Sequence, residues 1–177
     1  VGAAGALTIT MLRADGSSIS ATNQAVTNFR HATAGNGYLE SVTKSAAISL
    51  VLPSGAELGV TSGGPASIWV VEFNDGGTGA IGAINCRITG ASARIVALND
   101  YTIASSTAVT TGADSAGVFY TTNAATSKAY RIIGYMEWTT FTTAGTWTTP
   151  DKVQLFGPGI PAPGNRVQIA VGSTTSR

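Results

Sequence analysis

Nine acidic residues, one histidine and one cysteine are the whole supply of carboxylate, imidazole and thiol from which this chain would build a reaction centre. Hydrolysis of a glycan needs two carboxylates about 5–9.5 Å apart across a cleft. Glu72 and Glu137 are the best acid candidates, because each lies within an apolar, strand-like run. The structural alternative is a buried Glu paired with Arg87 or Arg131. Asp75, Asp100, Asp114 and Asp151 sit in turn-like sequence, where Asp is favoured for bonding to its own backbone. A Ser-His-Asp or Cys-His triad needs a base, and His31 is the sole histidine. Its neighbours form no nucleophile elbow, and no Gly-x-Ser-x-Gly occurs. With only His31 and Cys86 to draw on, a zinc site of four side chains fails on supply unless carboxylates dominate it. Cys86 reads as a small buried hydrophobe and has no mate for an intrachain disulfide.

Gly77-Thr78-Gly79-Ala80-Ile81-Gly82 formally matches the dinucleotide fingerprint. That motif requires a strand before it and a helix after it, so that a pyrophosphate sits on the helix N-terminus. Here the continuation is β-like, so the glycines read as a hairpin. Aromatic side chains offer different chemistry, since their faces pair with the apolar faces of sugar rings. Trp69, Trp138 and Trp147, with Tyr130, Tyr135 and Phe141, are the available set. Trp69 lies inside an apolar strand and reads as core, whereas Trp138 and Trp147 border Thr-rich sequence. These two are the candidates for contact with a glycan or a protein partner. The residue supply therefore points away from an enzyme and calls for no cofactor and no metal.

The elements that position these residues are strands. Residues 7–11 alternate with period two, so that Leu7, Ile9 and Met11 share a face, and Asp15-Gly16 marks a turn after them. Residues 46–52 stop at Pro53-Ser54-Gly55, where proline fixes φ and glycine permits reversal. Residues 67–73 are almost continuously apolar, as in a strand covered on both faces. In an oligomer this strand, through Trp69, Val71 and Phe73, is the candidate interface. Asn74-Asp75-Gly76-Gly77 turns the chain into residues 80–88, the clearest hairpin. Residues 94–98, 117–121, 130–141 and 146–149 read as further strands, and 167–171 as the start of another. Residues 23–30 fit a single helical turn or a strand. No segment carries apolar residues at helical spacing over three turns. The pattern predicts an all-β fold, a β-sandwich or jelly roll, in one domain over residues 1–156. Residues 157–177 are expected to be a Pro/Gly-rich connector and tail, because three prolines within 158–163 deny a ladder its donors.

Only 11% of the 177 residues are charged, against roughly 25% in ordinary globular domains. Thr, Ser, Asn and Gly carry the polarity instead, so much of the surface is expected to face something other than water. Lys and Arg are dispersed, so neither nucleic acid nor an anionic membrane is an expected partner. No run of about 18 apolar residues is present. The opening Val1-Gly2-Ala3 lacks the basic region of a signal peptide and reads as a processed or truncated start.

One segment resembles something known. Residues 130–168 carry Tyr130-Arg131-Ile132-Ile133-Gly134, then Ala144-Gly145-Thr146-Trp147, then Gln154-Leu155-Phe156-Gly157-Pro158-Gly159, then Pro163-Gly164 and Val167-Gln168. In this order they look like a module of tailed-bacteriophage and prophage structural proteins. The resemblance covers about 40 residues directly and implies a virion protein of the tail-fibre, head-fibre or capsid-decorating type, commonly a homotrimer. Its partners would be copies of itself, other virion proteins and, in a carbohydrate-binding alternative, host surface glycans.

Overall fold

A computed structural model of the chain describes residues 5–13, 15–30, 39–89, 93–99 and 102–156, and the backbone of Gln168–Val171. The chain is all-β, with about half of the described residues in strands and no helix among them. In chain order the strands are β1 (Leu7–Leu12), β2 (Ala25–Arg30), β3 (Leu39–Lys44), β4 (Ser49–Leu52), β5 (Gly64–Asp75) and β6 (Thr78–Asn85). Five two-residue strands follow: β7 (Arg87–Ile88), β8 (Arg94–Ile95), β9 (Ile103–Ala104), β10 (Thr107–Ala108) and β11 (Tyr120–Thr121). The long β12 (Lys128–Phe141), β13 (Lys152–Leu155) and β14 (Gln168–Val171) complete the set.

The principal sheet runs β10-β11-β6-β5-β12-β13, with β9 paired to one end of β12. All its pairings are antiparallel except β10 with β11. A smaller sheet, β14-β1-β4, packs on one face of it, giving a sandwich-like pair of layers. Leu7, Ile9 and Met11 of β1 and Leu50 and Leu52 of β4 meet Ile68 and Val70 of β5, Ile81 of β6, and Ile133 and Met136 of β12. The period-two alternation read in β1 therefore has its cause in this contact. Each such side chain, fully buried, stabilises the fold by about 1.5–3 kcal/mol relative to exposure.

The opposite face of β5 presents Trp69, Val71 and Phe73. Over Val71 and Phe73 lie Tyr130, Phe119 and Ala104, so the excursion between β6 and β12 covers this half of the sheet. The hairpin β2–β3 is a separate two-stranded sheet. It docks through Phe29 and Val42 onto Ala129 of β12.

β12 serves both faces because its register slips between Ile132 and Gly134. An extra residue in one strand reverses which side chains point inward. Before the slip Tyr130 and Ile132 face Val71 and Phe73; after it Tyr135 faces Trp69 and Met136 enters the inner core. Gly134 sits at this slip. A Cβ there would run into the backbone carbonyl of Gln154 on β13. The glycine of the Tyr-Arg-x-x-Gly pattern is thus what lets β13 lie against β12.

Several strands are shorter than their sequence pattern. The run 46–52 becomes a strand only from Ser49, and 94–98 and 117–121 shrink to two residues each. Residues 23–30 are a strand over most of their length, β2. Residues 146–149 are not a strand. Their backbone is used otherwise: the N–H of Trp147 donates to Gly5 (2.9 Å) and that of Thr146 to Thr143 (3.0 Å). Of the expected connector and tail, residues 157–167 and 172–177 lie outside the described ones. Gln168–Val171 pairs antiparallel with β1, Ile9 opposite Val171, and so belongs to the small sheet.

Candidate contact surface

The two acid candidates separate sharply. Glu72 is fully buried and pairs with Lys44, not with Arg87 or Arg131. Lys44 Nζ donates to Glu72 Oε1 at 2.8 Å and to Thr27 Oγ1 at 2.6 Å, while Thr27 Oγ1 donates to Glu72 Oε2 at 2.7 Å. Both carboxylate oxygens are thus occupied. A side chain at Gly79 would meet Glu72 Oε1 and Lys44 Cδ, so this packing leaves no room beside the pair. Arg131 stands opposite Glu72 in the ladder, but its guanidinium reaches the carbonyl of Asn28 at 3.0 Å. The correction has a physical origin: the hairpin β2–β3, joined only in the tertiary fold, supplies both partners of Glu72. Glu137 is half-exposed, 3.4 Å from the ammonium of Lys152.

Gly77, Gly79 and Gly82 lie in the β5–β6 turn and in β6, which continues as a strand. This is hairpin geometry, without the helix N-terminus that a pyrophosphate requires. His31 and Asp100 lie outside the described residues. Cys86 is buried, and its desolvation pushes the thiol pKa up to about 11. Among the described residues no group of three His, Cys, Asp or Glu side chains is arranged to hold a metal ion. A shallow open hollow of about 270 Å³ beside the β5–β6 turn is lined by Asn74, Gly77, Ser127 and Lys128 among others. The Lys128 ammonium is paired with Asp75 at 3.4 Å.

The tryptophans reverse their expected roles. Trp138 and Trp147 are 2% and 4% exposed and pack edge-on against each other and against Phe141. Trp138 Nε1 donates to the carbonyl of Thr148 at 3.2 Å. Neither indole can present a face to a sugar ring or a protein, so the expectation that these two make that contact is corrected. Thr-rich flanks misled because the Thr side chains of a loop project outward while the loop itself sinks its one large residue. Val71 and Phe73 are likewise fully buried within the chain. The strand expected at an oligomer interface is a central strand, and only Trp69 of the three reaches the surface.

Around Trp69 an aromatic surface is built from three elements. Trp69 of β5 stands opposite Tyr135 of β12 in the ladder, with ring centroids 5.1 Å apart. Phe156, just past β13, stacks on Trp69 at 5.8 Å and leans on Tyr135 at 5.7 Å. Lys152 lies over the Tyr135 ring, 5.4 Å from its centroid, and donates to the Tyr135 hydroxyl at 3.2 Å. Those contacts and Glu137 hold the Lys152 pKa above the usual lysine range, the Tyr135 hydrogen bond being the largest cause. This surface lies beside β13, the last strand of the principal sheet. Phe156 is 36% exposed there, and Val153, on the other face of β13, is 38% exposed.

Comparison with family models, with curated proteins and with solved structures finds no match to this chain. The chemistry must therefore be read from the geometry itself. That geometry offers an aromatic face, a strand edge with no partner among the described residues, and a neighbouring ion pair whose charges are mutually satisfied. Trp69 and Tyr135 stand among the aromatics of the sequence, and Phe156 lies inside the resembling segment. Their meeting was not legible, since it depends on the register of β5, β12 and β13.

Proposed function

We propose that this chain is a structural subunit of a tailed-bacteriophage virion, in a fibre or a capsid-decorating layer, acting through contacts with copies of itself and with other virion proteins. The observation that carries the reading is what the residues of the resembling segment do. Tyr130 packs on Phe73 and takes a hydrogen bond from the Asn99 N–H at 3.0 Å. Gly134 admits β13, Gly145 accepts from the Gly55 N–H at 2.7 Å, Trp147 fills the core, and Phe156 lies on the aromatic face beside Trp69. They are joints of a scaffold that delivers a contact surface. Support also comes from the charge-poor composition and from large apolar side chains left exposed away from that face, at Val26, Leu39, Val51, Ile95 and Ile103.

Burial of such side chains between subunits supplies the free energy of association, roughly 25 cal/mol for each Å² removed from water. The resemblance adds the homotrimer and the virion setting to this proposal. Static light scattering of the full chain tests it, with a mass that is a multiple of the chain mass as the expected result. A monomer that does not associate at micromolar to near-millimolar concentration would overturn it.

A further inference from the structure

We infer that the free edge of β13 is a pairing site for the same strand of a second copy, related by a twofold axis through Gln154. This rests on the reading that the chain acts through contacts with itself, and adds a twofold contact, distinct from the threefold one of a homotrimer, that joins single chains or whole trimers in pairs. Among the described residues no strand lies beyond β13 in the principal sheet. An open edge offers a row of backbone donors and acceptors to an incoming strand.

The direction of those groups follows from one bond. The N–H of Phe156 donates to the Ile133 carbonyl at 2.9 Å. By the alternation of an antiparallel ladder, Gln154 also turns its backbone groups to β12, and Val153 and Leu155 turn theirs outward; at the start of β13 the ladder is irregular, since the Asp151 N–H donates to the Glu137 carbonyl at 2.8 Å. The Leu155 carbonyl agrees with this: it is capped at 3.1 Å by the amide of the Gln154 side chain, a makeshift donor where a strand would supply a backbone one.

Antiparallel self-pairing centred on Gln154 sets Val153 against Leu155 of the second copy, and Leu155 against Val153 of the second copy. Each pair exchanges two backbone hydrogen bonds. Leu155 packs against the inner core, so this row of the joined sheet is apolar on its inner face. On the outer face Lys152 stands opposite Phe156 of the second copy, within reach of a ring as it already is of Tyr135. Gln154 meets its own twofold mate, and the two amides can bond to each other. The inner row thus pairs apolar with apolar, the outer row sets a cation over a ring, and no two like charges stand opposed. Parallel pairing would bring the two Lys152 residues to the same level. The antiparallel register centred on Val153 instead sets Asp151 against Leu155 of the second copy. Two other edges of the described sheets are poorer: β10 has two residues, and the outward side chains of β4 are Ser49 and Val51, only one of them apolar.

The test uses the full chain. Val153→Pro removes an outward N–H that β12 does not use, and proline is tolerated at such an edge position. It is expected to leave the fold intact by circular dichroism and to halve the mass seen by sedimentation equilibrium. Gln154→Cys places two thiols in a non-hydrogen-bonded pair, with Cβ atoms about 4.5–5.5 Å apart, close enough to join under mild oxidation. A covalent dimer on a non-reducing gel is expected for Gln154→Cys and none for Lys152→Cys, whose twofold mate is Phe156. A wild-type monomer at all concentrations would overturn both this inference and the assembly reading. An oligomer whose mass Val153→Pro leaves unchanged would overturn this inference alone.

Discussion

Replacing Lys44 by Met should destabilise the fold far more than the intact Lys44–Glu72 pair stabilises it. The two side chains are 2% and 0% exposed, with 2.8 Å between Nζ and Oε1. At an effective dielectric of about 20, opposite charges at that distance attract by about 6 kcal/mol. Desolvation removes several kcal/mol per ion, so the whole pair contributes close to nothing net. Removing one partner leaves the desolvation of the other uncompensated, at about 3–5 kcal/mol. Lys44→Met strands the Glu72 carboxylate with only the Thr27 hydroxyl; Glu72→Leu strands the ammonium. The double variant Lys44→Met/Glu72→Leu removes both charges and keeps the volume, and should lie within about 2 kcal/mol of wild type. Urea unfolding followed by circular dichroism measures all four proteins, with an unchanged slope required for comparison. The coupling between the two sites should be several kcal/mol, and added salt should alter it little because water is excluded from the pair. Single variants each below about 1 kcal/mol, or a double variant equal to the sum of the singles, would refute this account.

The same packing sets further outcomes. Gly134→Ala should lower the melting temperature by forcing β13 off β12, at about 1–3 kcal/mol for an overpacked position. Trp138→Ala and Trp147→Ala should each cost about 3–5 kcal/mol as core truncations. In acrylamide quenching of tryptophan fluorescence, Trp69→Phe should remove most of the accessible emission and leave the protected emission of Trp138 and Trp147. Cys86 should resist a thiol reagent at mildly basic pH until the chain unfolds. Because its folded pKa is raised to about 11, folding favours the protonated thiol. That contribution is complete below the ordinary thiol pKa and is lost as pH rises from there to about 11. A Cys86→Ala variant should show a shallower fall in stability over that window.

Much of the architecture was legible in the linear chain because it is local. Period-two alternation in β1, turn chemistry at Asn74-Asp75-Gly76-Gly77 and the lack of helical spacing depend on residues a few positions apart. They were enough for the all-β fold, the β5–β6 hairpin and the long β12. Strands of two residues were overestimated, since short apolar runs carry the same local signal whether or not a neighbour pairs with them.

The residue supply was also readable without a structure: one histidine, one cysteine and few charges limit the chemistry whatever the fold. What the tertiary structure decided is which side chains meet. Trp138 and Trp147 lie in Thr-rich sequence, yet the slip in β12 and the loop after it aim both into the core. Glu72 found Lys44 and Thr27, both on a hairpin of its own, rather than the nearby arginines. Trp69, Tyr135 and Phe156 became one exposed face only through the register of three strands. Register is a long-range property, fixed by how all the strands bury their apolar faces together, and a single residue's slip moves every side chain to the other face.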